Sequence, residues 1–340
     1  MKLSFYSIQR EETTVKNKTK TISIGRFLTD WGAVVAIIIA FIAFSITAKS
    51  VFCSIDNMIT ILRSMAITTV IAMGATFAFS AGVFDLSYGS VATLAAALSV
   101  TFMAWYGIPM IPAILLTLAV CVVIGCVNSF FVIKTHIPAF LATLAMQFIL
   151  DGIELTYSGG SVINPKVAPE GKTIMMEIPA VFGKLGKAPY IIIIMLVCIV
   201  LVELFQRQTK HGRFLYMVGS NPEATRLSGV KVNGYRILAF VLTAVFAGIG
   251  GILIVARAGT VAANAGTSFL MPSIAAVNIG AAFAGRGKPN AVGTFVGAAL
   301  IGVVENGLYA LAFPYYAINI VKGAILLLAL VMSNYANKQD

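Results

Sequence analysis

The sequence predicts an all-α integral membrane protein of about ten transmembrane helices, and three observations predict it. Of its 340 residues, 59% are hydrophobic and 11% charged, with a mean hydropathy of +0.93; a soluble domain carries about a quarter charged residues. The apolar residues fall into blocks approaching ~20 residues, the length that crosses ~30 Å of hydrocarbon. The basic residues gather in alternate connections between those blocks.

In order, the blocks are 31–48, 64–83, 87–104, 110–133, 139–156, 190–206, 237–256, 272–284, 291–310 and 318–333. They form one polytopic domain over 31–333, between an N-terminal tail (1–30) and a C-terminal tail (334–340). The first block follows a polar tail with no small-residue cleavage site, so a removed signal peptide is not expected. Cys53, Cys121, Cys126 and Cys198 are scattered, three of them inside blocks. They read as apolar fillers rather than a disulfide framework.

Ten spans place both termini on one side. With the N-terminal tail inside, the inner connections hold about twice the Lys and Arg of the outer ones. Lys16, Lys18 and Lys20 lie in the tail, and Arg207, Lys210, Arg213, Arg226, Lys231 and Arg236 in segment 207–236. The positive-inside bias therefore predicts that both tails and segment 207–236 are cytoplasmic. The net charge of +11 becomes a topology signal, which sets nucleic-acid binding aside. The longest connection, 157–189, falls outside and contains Pro165, Pro169 and Pro179. It is either a solvated connector or a platform or gate that meets an external partner.

Segment 219–236, "GSNPEATRLSGVKVNGYR", carries the signals of a short helix over 221–229. Asn221 suits the N-cap, Pro222 the first helical position and Glu223 the positive helix end, and Gly229 supplies a left-handed stop. Ala224, Leu227 and Val230 predict a small apolar face, with Arg226 and Lys231 opposite. A helix this short is not stable alone in water. It requires a groove, in its own membrane domain or on another protein.

Polar groups at membrane depth face a cavity or the bundle interior. Asp85 in "FSAGVFDLSYGS" (79–90) stands with Ser87 between Gly82 and Gly89, where the apolar pattern breaks. It is either an ordinary turn near the inner surface or a deeper path element. Asn128, Asn278 and Asn306 are the other groups expected beside water, with interhelical hydrogen bonding as the plainer reading. Glu305, Asp151 and Glu154 complete the set. Residues 71–98 resemble 277–300, which raises an internal repeat. "GKLGKA" (183–188) lacks the spacing of a phosphate loop, and His136 and His211 have no carboxylate or Cys partners nearby in sequence. No enzyme constellation is expected.

Several stretches together resemble the permease subunits of ribose-type bacterial ABC sugar importers. They are "GVFDLSYGSVATLAAAL" (82–98), "GCVNSFFVIKTHIPAFLATLA" (125–145), "GRFLYMVGSNPEATRLSGVKV" (212–232), "NAGTSFLMPSIAAVNIG" (264–280) and "INIVKGAILLLA" (318–329). That family includes permeases for other monosaccharides and for the furanosyl signal autoinducer-2. The resemblance implies that Asn221, Pro222, Glu223, Ala224, Arg226, Leu227, Ser228 and Gly229 form a coupling helix. Such a helix fits a cleft on a cytoplasmic ABC ATPase. It also implies a second permease copy, identical or homologous, an extracellular or periplasmic substrate-binding protein, and residence in the bacterial inner membrane. The chain itself would bind no cofactor or metal, ATP and Mg being held by the ATPase.

Val83 and Ser129 stand where that family usually has Gly, Asp151 where it has Arg and Glu305 where it has Asn, and 283–293 is altered. These departures bear on which solute is carried, not on the coupling helix. A nucleoside-importing permease of the related branch, a secondary carrier, and a lipid-acting enzyme using Asp85 and Asn128 are the rival readings.

Overall fold

The computed structural model describes residues 24–48, 52–167, 173–283, 287–314, 316–324 and 327. Residues 1–23, Lys172, Arg286, most of the block 318–333 beyond 324 and the C-terminal tail lie outside the described residues. The described chain is helical, with an isolated bridge between Ile163 and Val261. The helices are α1 (Ile24–Thr47), α2 (Ile55–Ser80), α3 (Tyr88–Ala104), α4 (Met110–Lys134) and α5 (Ala139–Ser158). They continue as α6 (Ala180–Leu185), α7 (Tyr190–Gln208), α8 (Lys210–Ser220), α9 (Pro222–Leu227), α10 (Val232–Ala258), α11 (Leu270–Ala282) and α12 (Ala291–Ala310). Residues 316–324 are helical as well.

Among the described residues, six helices are long and apolar enough to cross a membrane: α2, α4, α5, α7, α10 and α12. Trp31–Thr47, Tyr88–Ala104 and Thr267–Ala282 are shorter apolar helical stretches. Each of the ten predicted blocks coincides with helix over part or all of its length among the described residues.

The mostly buried α10 is the central element, packed against α2, α3 and α4. Small residues make this possible, because backbones approach closely where no large side chain intervenes. Gly251 sits against Ala92 and Ala95, Gly250 against Ile71, Gly248 against Cys121 and Gly125 against Val241. These contacts set α10 parallel to α3 and antiparallel to α2 and α4. Similarly, Gly302 against Met65 and a Thr76–Thr294 hydroxyl contact of 2.9 Å set α12 antiparallel to α2. In contrast, α4, α5 and α7 expose much of their apolar surface, including Leu115, Val123, Phe148, Ile153 and Val200. Apolar area on that scale calls for lipid or another subunit.

The two similar stretches, 71–98 and 277–300, are both helix–break–helix. Their surroundings differ. α11 and α12 lie side by side, whereas α10 contacts both α2 and α3 and holds them apart.

Residues 259–269 depart from the expected pattern of simple spans. Gly259, at φ +77, ends α10, and Val261 pairs with Ile163 through two 2.9 Å backbone hydrogen bonds. The chain then turns back. The Gly266 N–H donates to Thr93 Oγ1 at 2.9 Å, and Tyr88 Oη donates to the Leu270 carbonyl at 2.9 Å. A Cβ on Gly266 would stand 2.4 Å from the Gly89 carbonyl oxygen. Ala92 is a neighbour of both Gly266 and Gly251, so the chain has returned to about the level of Gly251. Gly251 is two helical turns before the end of α10, a retreat of about 10 Å. α11 starts from there, and its 13 residues span only about 20 Å. It is a half-length helix entered through a re-entrant segment that is irregular as far as Gly266 and closes in one 3₁₀ turn, Thr267–Phe269. Irregular backbone at that depth is tolerated only against protein or a water-filled cavity.

Candidate functional site: a capped short helix, two helix breaks and a cleft

The segment expected to couple folds as two short helices, α8 and α9. In α9, Asn221 is the N-cap: its Oδ1 accepts from the Ala224 N–H at 3.0 Å, and Pro222 occupies the first turn. Thr225 Oγ1 donates back to the Asn221 carbonyl at 2.7 Å, and Ser228 Oγ to the Ala224 carbonyl at 2.9 Å. Gly229, at φ +81, ends the helix with its N–H on the Arg226 carbonyl at 3.0 Å. Arg226 pairs with Glu223 at 2.5 Å, and that carboxylate raises the guanidinium pKa above its ordinary value.

The face of α9 differs from the expected one. Thr225 is the buried residue, Val230 is half-buried, and Ala224 is exposed. Leu227 is 80% exposed. The apolar side chain at the end of α9 therefore points away from its own domain. The reason is tertiary: α9 lies against α8 and α10 with Thr225 as its buried residue, which leaves the Leu227 side uncovered.

Sequence periodicity did not disclose α8, which carries α9. Thr209 caps it, accepting from the Gly212 N–H at 3.0 Å, and Leu215 and Val218 are its fully buried stripe. α8 is seated on the ends of both broken helix pairs. Gly219 lies against Ser80 and Gly82 where α2 ends. Tyr216 Oη donates to the Pro289 carbonyl just ahead of α12 at 2.5 Å. Beneath it, buried Gln206 at the end of α7 donates through Nε2 to Ser80 Oγ at 3.3 Å. Its Oε1 accepts from the Ala291 N–H at 3.2 Å. The only sequence signal for Gln206 is a polar residue closing an apolar run.

Of the five polar groups expected beside a solute path, three meet at the first break. Asp85 Oδ1 accepts from the Ser87 N–H at 2.8 Å and from Ser87 Oγ at 2.7 Å. Ser87 Oγ in turn accepts from Asn128 Nδ2 of α4 at 2.7 Å. All three side chains are buried within this chain, at 2%, 0% and 1% exposure. Thr143 of α5 closes the turn, accepting from the Leu86 N–H at 3.0 Å. Such a chain of bonds satisfies the free backbone and carboxylate of a broken helix in a low-dielectric interior.

The other two groups are elsewhere. Asn278 Nδ2 bonds its own helix at the Ile274 carbonyl, 2.9 Å. Asn306 Oδ1 accepts from Asn57 Nδ2 at 3.0 Å, joining α12 to α2.

A cleft of about 450 Å³ opens where the re-entrant segment meets α12 and the 316–324 helix. Its lining includes Thr267, Ser268, Met271, Glu305, Asn319 and Lys322. Lys322 Nζ and Glu305 form an ion pair at 2.9 Å, both side chains about a quarter exposed. Beside it, Arg257 reaches the Arg63 carbonyl at 3.4 Å and Ser64 Oγ at 3.2 Å. The sequence held one signal for this place: the block 272–284 is too short for a full span, with Pro272 at its start.

Comparison of the sequence with known proteins identifies the family. The family model described as "Branched-chain amino acid transport system / permease component" matches residues 57–330. The ribose import permease protein of Haemophilus influenzae is 30% identical over 326 residues, covering 94% of this chain and 98% of that protein. Its Escherichia coli K12 namesake is 32% identical over 324 residues, at 93% and 98% coverage. A xylose transport system permease protein of Haemophilus influenzae is 26% identical over 359 residues, at 90% and 95%. No solved structure matches. These relatives are named as transport permeases, and the chain is a transport subunit rather than an enzyme. Matched over most of its length by that family model and by two ribose permeases at 30% identity or above, this multi-pass chain belongs to the branched-chain amino acid transport system / permease component family, among its ribose-type ABC sugar permeases.

Proposed function

We propose that the chain is the membrane-spanning subunit of an ATP-driven importer and forms the translocation path for a monosaccharide or a similar small polar solute. The relatives matched along nearly their whole length are named for ribose and xylose, which favours a sugar over the amino acids of the family description. The observation that carries the reading is the exposure of Leu227 at the end of a capped, rigid six-residue helix. An apolar knob on a preorganised element that its own domain does not cover suits a groove on a cytoplasmic ATPase.

In this reading about ten helices cross the inner membrane with both termini cytoplasmic. A second permease copy, identical or homologous, covers part of the exposed apolar surface, and an external binding protein delivers the solute. ATP and Mg act on the ATPase, and this chain binds no cofactor. α8 links α9 to the ends of both broken helix pairs, so displacement of α9 reaches both breaks together. The Asp85–Ser87–Asn128 network keeps the first break's shape during that motion, Asn306 ties α12 to α2 through Asn57, and half-buried Asn278 on α11 is the one of the five left nearest the path.

The test is uptake of radiolabelled ribose and xylose into vesicles holding the permease with its ATPase and binding protein. ATP-dependent uptake that stops when the ATPase is omitted supports the reading. Uptake driven by a proton or sodium gradient without the ATPase overturns it.

A further inference from the structure

We infer that the cleft beside the re-entrant segment is a holding station where the permease itself touches a neutral polyhydroxylated solute on its way across. The inference rests on the transport reading above and adds to it the site and the chemistry of the contact.

Three elements distant in sequence build the cleft. The re-entrant segment brings Thr267 and Ser268, α12 brings Glu305, and the 316–324 helix brings Asn319 and Lys322. The Thr267 hydroxyl oxygen is buried and has no hydrogen-bond partner among the described residues. A hydroxyl left unmatched in an apolar interior is costly, and a small shift of the re-entrant segment that opens it to a ligand or water in the cleft removes that cost. The volume of about 450 Å³ lies within the range of small-molecule sites, about 300–1,000 Å³.

The charges select the ligand class. Glu305 and Lys322 cancel each other at 2.9 Å, so the cleft offers acceptors and donors without a net charge of its own. A ring of hydroxyls both donates and accepts, and bonds such a pair without separating it. A charged solute would have to break the pair or enter unpaired, and either carries the desolvation cost of a buried charge. Apolar Met271, which also lines the cleft, suits the C–H face of a sugar ring. Among the lining residues no acidic or basic excess traps the solute, which fits a station that must release what it receives; Arg257 and Arg63 stand beside the pair, outside the lining.

The site is also in the right place. It opens beside a half-length helix entered about 10 Å below the end of α10, where non-helical backbone is tolerated because protein or water surrounds it. In carriers built with broken helices, solute sites lie at such interruptions.

The test uses the full chain in sealed, oriented vesicles, with Cys53 and Cys126 replaced by Ser to remove the exposed native thiols. Ser268→Cys is nearly isosteric and lies on the exposed side of the re-entrant segment. A hydrophilic thiol reagent added outside should label it. D-Ribose, D-xylose, D-glucose or D-galactose at millimolar concentration should slow that labelling, and D-gluconate should not. In the complete transporter, Thr267→Val should lower maximal uptake about tenfold. The half-saturating sugar concentration, set by the binding protein, should stay unchanged.

Absence of labelling, labelling that none of the four sugars slows, or stronger protection by gluconate than by any neutral sugar would each overturn the inference. The labelling arm needs no ATPase. Protection in a chain whose uptake proves independent of ATP would leave the cleft standing and remove the importer reading.

Discussion

Gly219 of α8 lies so close to Ser80 at the end of α2 that a Cβ on it would stand 2.2 Å from the Ser80 carbonyl oxygen. Helix propensity favours Ala over Gly in a helix by roughly 0.5–1 kcal/mol. The contact reverses that sign, since forcing a methyl group against backbone costs about 1–3 kcal/mol. Gly219→Ala should therefore shift α8 away from α2 instead of stabilising it. In the assembled transporter, ATP hydrolysis should persist while solute moved per ATP falls. An unchanged coupling ratio would show that this contact carries no force.

Leu227 and Arg226 test the other end of the same unit. Both are exposed, and exposed substitutions away from special features usually change stability by no more than about 0.5 kcal/mol. Leu227→Asp and Arg226→Glu should leave extraction yield and thermal unfolding of the permease unchanged, yet reduce co-purification of the ATPase. Gly229→Pro should act differently, because it replaces the residue whose positive φ ends α9 and thereby loosens the helix itself. Full ATPase retention by Leu227→Asp would exclude α9 as the docking element.

The first break supplies a graded series. Asp85 accepts two bonds from Ser87, and a side-chain amide keeps an acceptor oxygen that leucine lacks. Leaving a buried donor unmatched costs about 1–3 kcal/mol. Asp85→Leu should therefore lower thermal stability and uptake far more than Asp85→Asn. Asn128→Leu should fall between them, because it removes a single bond to Ser87. Equal effects of Asp85→Asn and Asp85→Leu would mean that the charge matters, not the hydrogen bonds.

Hydrophobic blocks are legible because membrane helices impose a length and a composition on any sequence. α9 is legible for a local reason as well, since Asn221, Pro222 and Gly229 encode a start and a stop within a few residues. The orientation of Leu227 was not legible. It depends on Thr225 turning inward, and threonine and leucine exchange sides without disturbing a spacing of three. α8 has a clear apolar face, with Leu215 and Val218 on it, but its eleven residues follow directly on a longer apolar block and read as connection; Gly212 and Gly219 are what seat it. The polar residues of the first break were visible singly, but Asn128 meets Ser87 across 41 positions of chain, and no local pattern carries such a meeting. The re-entrant segment escaped for another reason. Residues 259–269 contain no charge, and Thr260, Asn264, Thr267 and Ser268 with two glycines read as an ordinary connection between spans, so nothing in composition said that this connection turns back into the bundle.

Orientation can be tested independently of transport. The charge asymmetry places the 157–189 connection outside and α8 inside, and the structure provides an exposed lysine on each. Lys184 stands at the end of α6, held near the outer end of α10, where Gly186 packs against the backbone of Ala256 and Arg257. Lys210 begins α8, beside the junction of Ser80 and Gln206. Lys184→Cys and Lys210→Cys, made with Cys53 and Cys126 replaced by Ser, should differ in intact cells. A membrane-impermeant thiol reagent should label the first at once and the second only after the membrane is opened. Neither position lies in the cleft or on α9, so transport should be little affected and the label reports topology alone. Labelling of Lys210→Cys from outside would invert the molecule. It would place α9 beyond reach of any cytoplasmic ATPase, and the importer reading would fall with it.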